Sequence, residues 1–538
     1  MRRGQGAMLA WIAIAVLGGL WFLGCLDPDI YRLTLADETL YLRNGLNFQR
    51  SQFDNYERFP LHSAWYALLQ RFMEDPITIF KRGAVLQLSL IVLLLCLASQ
   101  SLSRLPALAL ALGFALIATP ILGINASPFA QRTALLVLLS GTWLASGIRD
   151  PLLRALPLGL AYFVAAFARS EFVLAFYLLS AGLVLYVLAL RRTRRDFLIL
   201  GGYAACIACL SLVMHFPVLA GSERSMMAFG QHYALQLQEQ GAAIDPWLQW
   251  RAVMQEGFGD SASIQEALAH NPSAFFGHLR WSLGGLWTWV RELHPMSLGL
   301  LCLCLGSSAY YLVSLLRGLR RQRVQQREAD LVLFACLGLG LLPIMASVLL
   351  VAARNHYLQQ FYVLSALMGA LSIGGLLRQR EAQPGPLRGK LGLGLTLGAV
   401  LWMCPRPEIH ADRNAELAGA MRQLVAPGSA ESGRGVVSAG SPRVFSMFRG
   451  LSIYIFDQSK EYYFTRWKPE TSSLEDYMDE MQFEYVFLDV LRIPKQSELV
   501  QQAFESFQAN PAGRGYALIH QDARALVYGR LSEPVENP

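Results

Sequence analysis

The chain has 538 residues, of which 54% are hydrophobic and only 16% charged, with a mean hydropathy of +0.34. Soluble domains carry about a quarter charged residues, so this composition excludes an ordinary soluble protein, a disordered or collagen-like chain and a nucleic-acid-binding tail. It points to a polytopic α-helical membrane protein whose formal charge of +7 is carried by arginines that read as topology signals.

In chain order, apolar runs that approach or exceed the length needed to cross about 30 Å of hydrocarbon fall at 7–26, 83–102, 105–124, 133–147, 155–168, 172–190, 197–219, 296–316, 330–352, 357–377 and 389–404. The first run could pass for a signal peptide, with Phe22-Leu23-Gly24-Cys25 as a faint lipoprotein-like site. No small-residue cleavage motif follows, and it reads as an uncleaved anchor. If every run crosses, giving about 11 transmembrane helices, then Arg2, Arg3, Arg104, Arg149, Arg154, Arg191 to Arg195, Arg317 to Arg327 and Arg378 to Arg388 all fall on one side. By the positive-inside rule that side is cytoplasmic. The N-terminus is then inside, and residues 27–82, 220–295 and 405–538 are outside. The surplus of arginine over lysine suggests a GC-rich bacterial genome, and the expected location is a bacterial inner (cytoplasmic) membrane. The expected domains are a membrane part, 1–404, and a small extracytoplasmic α/β part, 405–538.

The eight cysteines lie in or beside apolar runs. Cys206-x-x-Cys209 is half of a zinc or redox motif, but no second pair and no histidine stand at ligand spacing, so these read as packing residues.

The outer segments have their own patterns. Residues 38–48 and 61–72 read as amphipathic helices, the first with the breaker pair Asn44-Gly45 inside it and the second with Leu61, Trp65, Leu68, Leu69 and Phe72 at helical spacing. Residues 220–295 form a long structured loop with His232, Trp247 and Trp250 and a helix over Ser263–His270 stopped by Asn271-Pro272. After 405 the pattern predicts helices at 416–425, 474–481 and 497–507 and strands at 435–439, 452–456, 485–490, 516–520 and 525–528. Gly428 to Gly440 lacks the spacings of a phosphate-cradling or dinucleotide loop and reads as a plain loop.

Polar groups that are costly where they sit mark the candidate chemistry. Asp37-Glu38 follows the first run: such a carboxylate accepts a proton from an attacking hydroxyl or holds a divalent metal. Equally, Asp37 caps the following helix and Glu38 favours its first turn. Arg169 and Glu171 lie in a short outer connection where arginine is depleted. Arg169 there is a snorkelling residue, half of a local ion pair, or a phosphate clamp. Arg354 and His356 together suit an anionic headgroup, with Tyr357 as an interfacial anchor, and Arg132 is a weaker fourth position.

These pieces resemble the GT-C glycosyltransferases that use polyprenyl-phosphate sugars, the bacterial relatives of protein O-mannosyltransferases and aminoarabinose transferases. Asp37-Glu38-x-x-Tyr41 is similar to the family's acidic pair after its first span. Phe59-Pro60-Leu61-His62-Ser63-Ala64-Trp65-Tyr66 resembles its Pro-Pro-Leu-Tyr element, with His62 departing. Ala168-Arg169-Ser170-Glu171 resembles its Arg-Pro-Glu, with Ser170 in place of proline, and Arg354-Asn355-His356-Tyr357 its Arg/His-Tyr lead-in to a late span.

The resemblance implies transfer of a sugar from a polyprenyl-phosphate carrier to an acceptor hydroxyl of a glycan, lipid or protein, with inversion, at the outer face of the membrane. It implies catalytic roles for Asp37, Glu38 and Glu171. Arg169, Arg354, His356 and Arg132 would bind the lipid phosphate, and Tyr41, His62 and His232 would lie in the substrate loops. A divalent metal, if one is used, would be held at Asp37. Membrane lipids are expected partners and nucleic acid is not. The rival readings are an envelope glycan polymerase or ligase, a transporter, and a non-catalytic scaffold.

Overall fold

Leucine- and alanine-rich runs opened by proline or by a capping carboxylate dictate helix along most of this chain, and helix dominates the computed structural model. It describes residues 3–531 apart from 32, 34–36, 55–58, 118–129, 215–222, 243, 248, 320–324, 353–354, 380–411, 426–441, 449–450, 456–459, 464–466, 468–471 and 497. The expected span at 389–404 and strand at 435–439 lie outside the described residues, as does nearly all of the glycine-rich loop.

The chain divides into two compact units: Met1–Tyr31, Phe48–Trp65 and Arg82–Ile409 form the first, and Arg32–Asn47, Tyr66–Lys81 and His410–Pro538 the second. The acidic pair at 37–38 therefore belongs with the C-terminal segment.

The other ten expected spans are helical. They are α1 (Arg3–Phe22), α4 (Pro76–Ser103), α5 (Pro106–Ile117), α6 (Ala130–Ser146), α7 (Pro151–Ala165), α8 (Phe172–Tyr186), α9 (Arg194–Met214), α14 (Pro295–Leu319), α15 (Gln325–Leu350) and α16 (Asn355–Gln379). Among the described residues six helices are long and apolar enough to cross a membrane: Pro76–Ser103, Phe172–Arg191, Arg194–Met214, Ser297–Arg317, Glu328–Leu350 and Leu358–Arg378. On α9, Leu198, Leu212 and Val213 are exposed, an apolar surface suited to lipid rather than water. The starts follow local rules. Asp150 accepts from the Leu152 and Leu153 amides at 3.0 and 3.1 Å, with Pro151 at the first helical position, where its missing N–H costs nothing.

Inside the first unit, four helices meet at one carboxylate. Asp330 of α15 accepts from Arg154 of α7 at 2.8 Å, Tyr311 of α14 at 2.9 Å and Arg378 of α16 at 2.9 Å. Arg378 also donates to the Leu102 carbonyl of α4 at 3.2 Å.

The long loop contributes α10 (Glu223–Glu239), α11 (Trp250–Phe258), α12 (Ile264–His270) and α13 (Pro272–Glu292). The helix expected over Ser263–His270 and ended by Asn271-Pro272 is α12, with Ser263 as its cap, and Asn271 also caps α13. Phe229, Tyr233, Val253, Met254, Phe258 and Phe275 form its core.

The second unit contains α2 (Asp37–Leu46) and a five-stranded sheet of order β2-β1-β3-β5-β4, comprising β1 (Arg443–Ser446), β2 (Lys460–Tyr463), β3 (Tyr485–Asp489), β4 (Tyr516–Gln521) and β5 (Ala525–Arg530). β1 runs parallel to both β2 and β3, and β5 pairs antiparallel with β3 and β4. The helices α19 (Leu474–Met481) and α20 (Glu498–Ala509) help to build its core, in which Phe445, Val486, Phe504 and Phe507 are buried. One expectation is corrected. The strand expected at 452–456 is instead the short helix α18 (Ser452–Ile455), because β1 and β2 are parallel neighbours and the chain between them has to cross back rather than pair. The true partners, β1 and β2, are four residues each and too short to show a period in the sequence.

Candidate functional site

In the first unit, three of the sequence motifs come together at the turn between Phe59 and His62. α3 (Pro60–Gln70) starts here. The Leu61 amide donates to the Phe167 carbonyl at 3.2 Å, and the Arg169 guanidinium lies 5.3 Å from the centre of the Phe59 ring, a cation–π contact. Phe59 has φ of 56°, the left-handed region that a bulky residue adopts only under constraint. Arg169 Nε donates to Glu171 Oε1 at 2.8 Å, the two side chains being 11% and 8% exposed. Of the three roles open to Arg169 in the sequence, the structure shows the local ion pair.

On the same turn, His62 is fully buried and its Nδ1 lies 2.8 Å from the Thr133 hydroxyl, which also accepts from Gln87 at 3.1 Å. Thr133 follows Arg132 in the first turn of α6, and Arg132 is 1% exposed. Beside it the Tyr31 hydroxyl is buried, with no hydrogen-bond partner among the described residues. Burial pushes that phenol above its ordinary range while the Arg132 charge pulls it down. The turn at 59–62 thus joins the 167–171 turn to the start of α6, where Arg132 is buried.

In the second unit, α2 opens at Asp37 with Glu38, Thr39 and Tyr41 buried. The side chain of Asp37 lies outside the described residues. A carboxylate in the first turn is favoured by the positive end of the helix dipole. Tyr454 of α18 is fully buried and its hydroxyl has no hydrogen-bond partner among the described residues. Burial first, then the charges of Glu38, Tyr66 and Asp412, hold that phenol protonated far above its ordinary range.

The remaining candidates stand apart. His232 is buried in α10, with Nδ1 donating to the Ala228 carbonyl at 2.7 Å and its ring edge-on to Trp247 at 5.9 Å. Arg354 and the side chain of His356 lie outside the described residues. Among the described residues no three His, Cys, Asp or Glu side chains gather as metal ligands.

Sequence reasoning missed Gln87, Thr133 and Tyr454. The first two were detectable as polar residues inside apolar runs, where burial demands a partner.

No family model matches the sequence, and no curated protein matches it. Among solved structures, a crystal structure of ArnT from Cupriavidus metallidurans in the apo state aligns with 97% of this chain and 98% of that chain, at 12% identity and a TM-score of 0.38.

Proposed function

We propose that the protein is an integral-membrane glycosyltransferase of the GT-C kind that moves a sugar from a polyprenyl-phosphate carrier to an acceptor hydroxyl. The observation that carries the reading is the junction in the first unit. The turn Phe59–His62 packs against the Phe167–Glu171 turn and, through His62, against the start of α6 beside Arg132. Two of the four pieces that resemble the family, 59–66 and 168–171, are neighbours here.

In this reaction the acceptor oxygen attacks the anomeric carbon and the carbon–oxygen bond to phosphate breaks, with inversion. The leaving lipid phosphate gains the electron pair, and a carboxylate at Asp37 or Glu38 takes the acceptor proton. Arg169 and Arg132 are the described cations that stabilise the phosphate as its charge grows, and Arg354 joins them by the resemblance. Fixed cations aimed at developing charge in a dry site lower a barrier more than the same charges in water. In this reading Glu171 holds Arg169 until phosphate competes for it, since guanidinium pairs bidentately with either anion. The same reading places the protein in a cytoplasmic membrane with its C-terminal segment outside.

Native mass spectrometry of the purified protein with polyprenyl phosphate tests the binding half. Wild type is expected to retain one lipid, and Arg169→Ala to retain it about ten-fold more weakly. Equal retention by both, or none by wild type, contradicts the assignment.

A further inference from the structure

The second unit contains a contact that neither the motifs nor the proposed chemistry accounts for. Leu33, four residues before Asp37, is gripped by both of its backbone polar groups. Its amide donates to Asp412 Oδ2 at 3.2 Å, and its carbonyl accepts from the Asn414 amide. Asp412 and Asn414 are buried at the start of α17 (Arg413–Val425), where Asp412 Oδ1 also accepts from the Ala415 amide at 3.1 Å. Lys81 Nζ lies 3.4 Å from Asp412 Oδ2 and balances its charge. Asn414 is fixed in turn: its Oδ1 accepts from Arg524 at 2.5 Å, and Arg524 lies 3.7 Å from Asp489 at the end of β3. A second tie joins the same segments, where Arg422 of α17 meets Asp75, just before α4, at 2.5 Å.

The ordering of these contacts matters. A backbone unit held at both its N–H and its C=O has its position and its peptide-plane orientation fixed, which one hydrogen bond does not achieve. The buried Lys81–Asp412 pair has its carboxylate satisfied by two amides besides the cation, the condition under which a buried charge is tolerated. The chain leaving this grip begins α2 within four residues.

We propose that Asp412 and Asn414 are positioning residues that clamp the approach to α2, and that the C-terminal domain, through Arg524 and β3, sets where Asp37 and Glu38 are presented. The proposal rests on the transferase reading for the use of those carboxylates. It assigns the C-terminal domain a mechanical part in that chemistry: the domain holds the acidic helix in register without itself touching the sugar.

The test uses the full chain in nanodiscs. Hydrogen–deuterium exchange is compared for wild type, Asn414→Ala and Asp412→Asn. The last keeps an oxygen for the Ala415 amide while turning an amide N–H toward that of Leu33. Both variants are expected to exchange about ten-fold faster over residues 38–46, the effect of losing one hydrogen bond, with 485–489 and 498–509 unchanged. Unaltered exchange over 38–46, or a rise shared by all three segments in both variants, overturns the proposal.

In cells, at equal protein level in the membrane, both variants are expected to accumulate the same lipid-linked sugar as Asp37→Asn. A wild-type sugar profile in both, beside a defective Asp37→Asn, also overturns it. A wild-type profile in Asp37→Asn removes the transferase reading instead, and exchange over 38–46 then decides the clamp alone.

Discussion

Around Asp330 one carboxylate receives Arg154, Tyr311 and Arg378, donors from three other helices. Arg169 pairs with Glu171, two residues away, and lies over the ring of Phe59, whose backbone is held at φ of 56°. Both clusters bury charge in the same unit, and the difference separates a staple from a site. The Asp330 cluster can release no partner without uncoupling helices. On the proposed reading Arg169 exchanges Glu171 for the lipid phosphate, and the strain at Phe59 is of the kind found where a fold over-determines one residue.

The sharpest way to break that comparison is Asp330→Ala. It leaves the buried Arg154 and the partly exposed Arg378 without their shared carboxylate, and we expect a loss of about 3–5 kcal/mol, read as a fall in the melting temperature of the purified protein. A variant that melts like wild type would show that Asp330 staples nothing.

Arg169→Ala should do the opposite. We expect transfer to fall by about 100-fold, the cost of removing one donor from a developing oxyanion, with a smaller fall in melting temperature than Asp330→Ala gives. Arg169→Lys should recover only part, since an ammonium does not make the bidentate contact. A melting loss as large as that of Asp330→Ala would make Arg169 a staple too.

A third, smaller effect belongs to the loop helices. His278 is fully buried, with Nδ1 2.9 Å from Gln236 and Nε2 3.1 Å from the Leu350 carbonyl that ends α15. Burial lowers its pKa to about 4, against a smaller upward pull from the Leu350 and Val351 carbonyls. The unfolded chain takes up this proton as pH falls below its ordinary value of 6.5 and the folded chain only near 4. Stability is therefore level above pH 6.5, falls between 6.5 and 4, and levels again below. The loss is on the order of 2–3 kcal/mol. His278→Gln should flatten that part of the profile, and an unchanged slope would assign it to other groups.

What the sequence disclosed divides along the same line as these clusters. Local rules were legible. Ser263 caps α12, Asn271-Pro272 separates α12 from α13, and α2 runs from Asp37 to Leu46, close to its expected bounds. The asparagine and glycine at 44–45 do not stop it, because burial of the helix outweighs their weak propensity. The Arg169–Glu171 pair was also visible, since its members are two residues apart. Long-range pairing was not. The clamp joins Leu33 to Asp412 across 379 residues, and nothing local to Asp412 distinguishes a clamp from an ordinary cap. The segment Ser452 to Ile455 has the β-branched content of a strand and is a helix, a choice made by strand order elsewhere in the sheet.

The central claim is that the acidic pair and the arginines serve transfer from a lipid phosphate. It is tested most directly by comparing envelope glycans and polyprenyl-phosphate sugars, by mass spectrometry, in a deletion strain carrying wild type or Asp37→Asn. The account predicts that one sugar disappears from the envelope in the deletion and in Asp37→Asn while its lipid carrier accumulates. Wild-type glycans in Asp37→Asn at normal expression would contradict it.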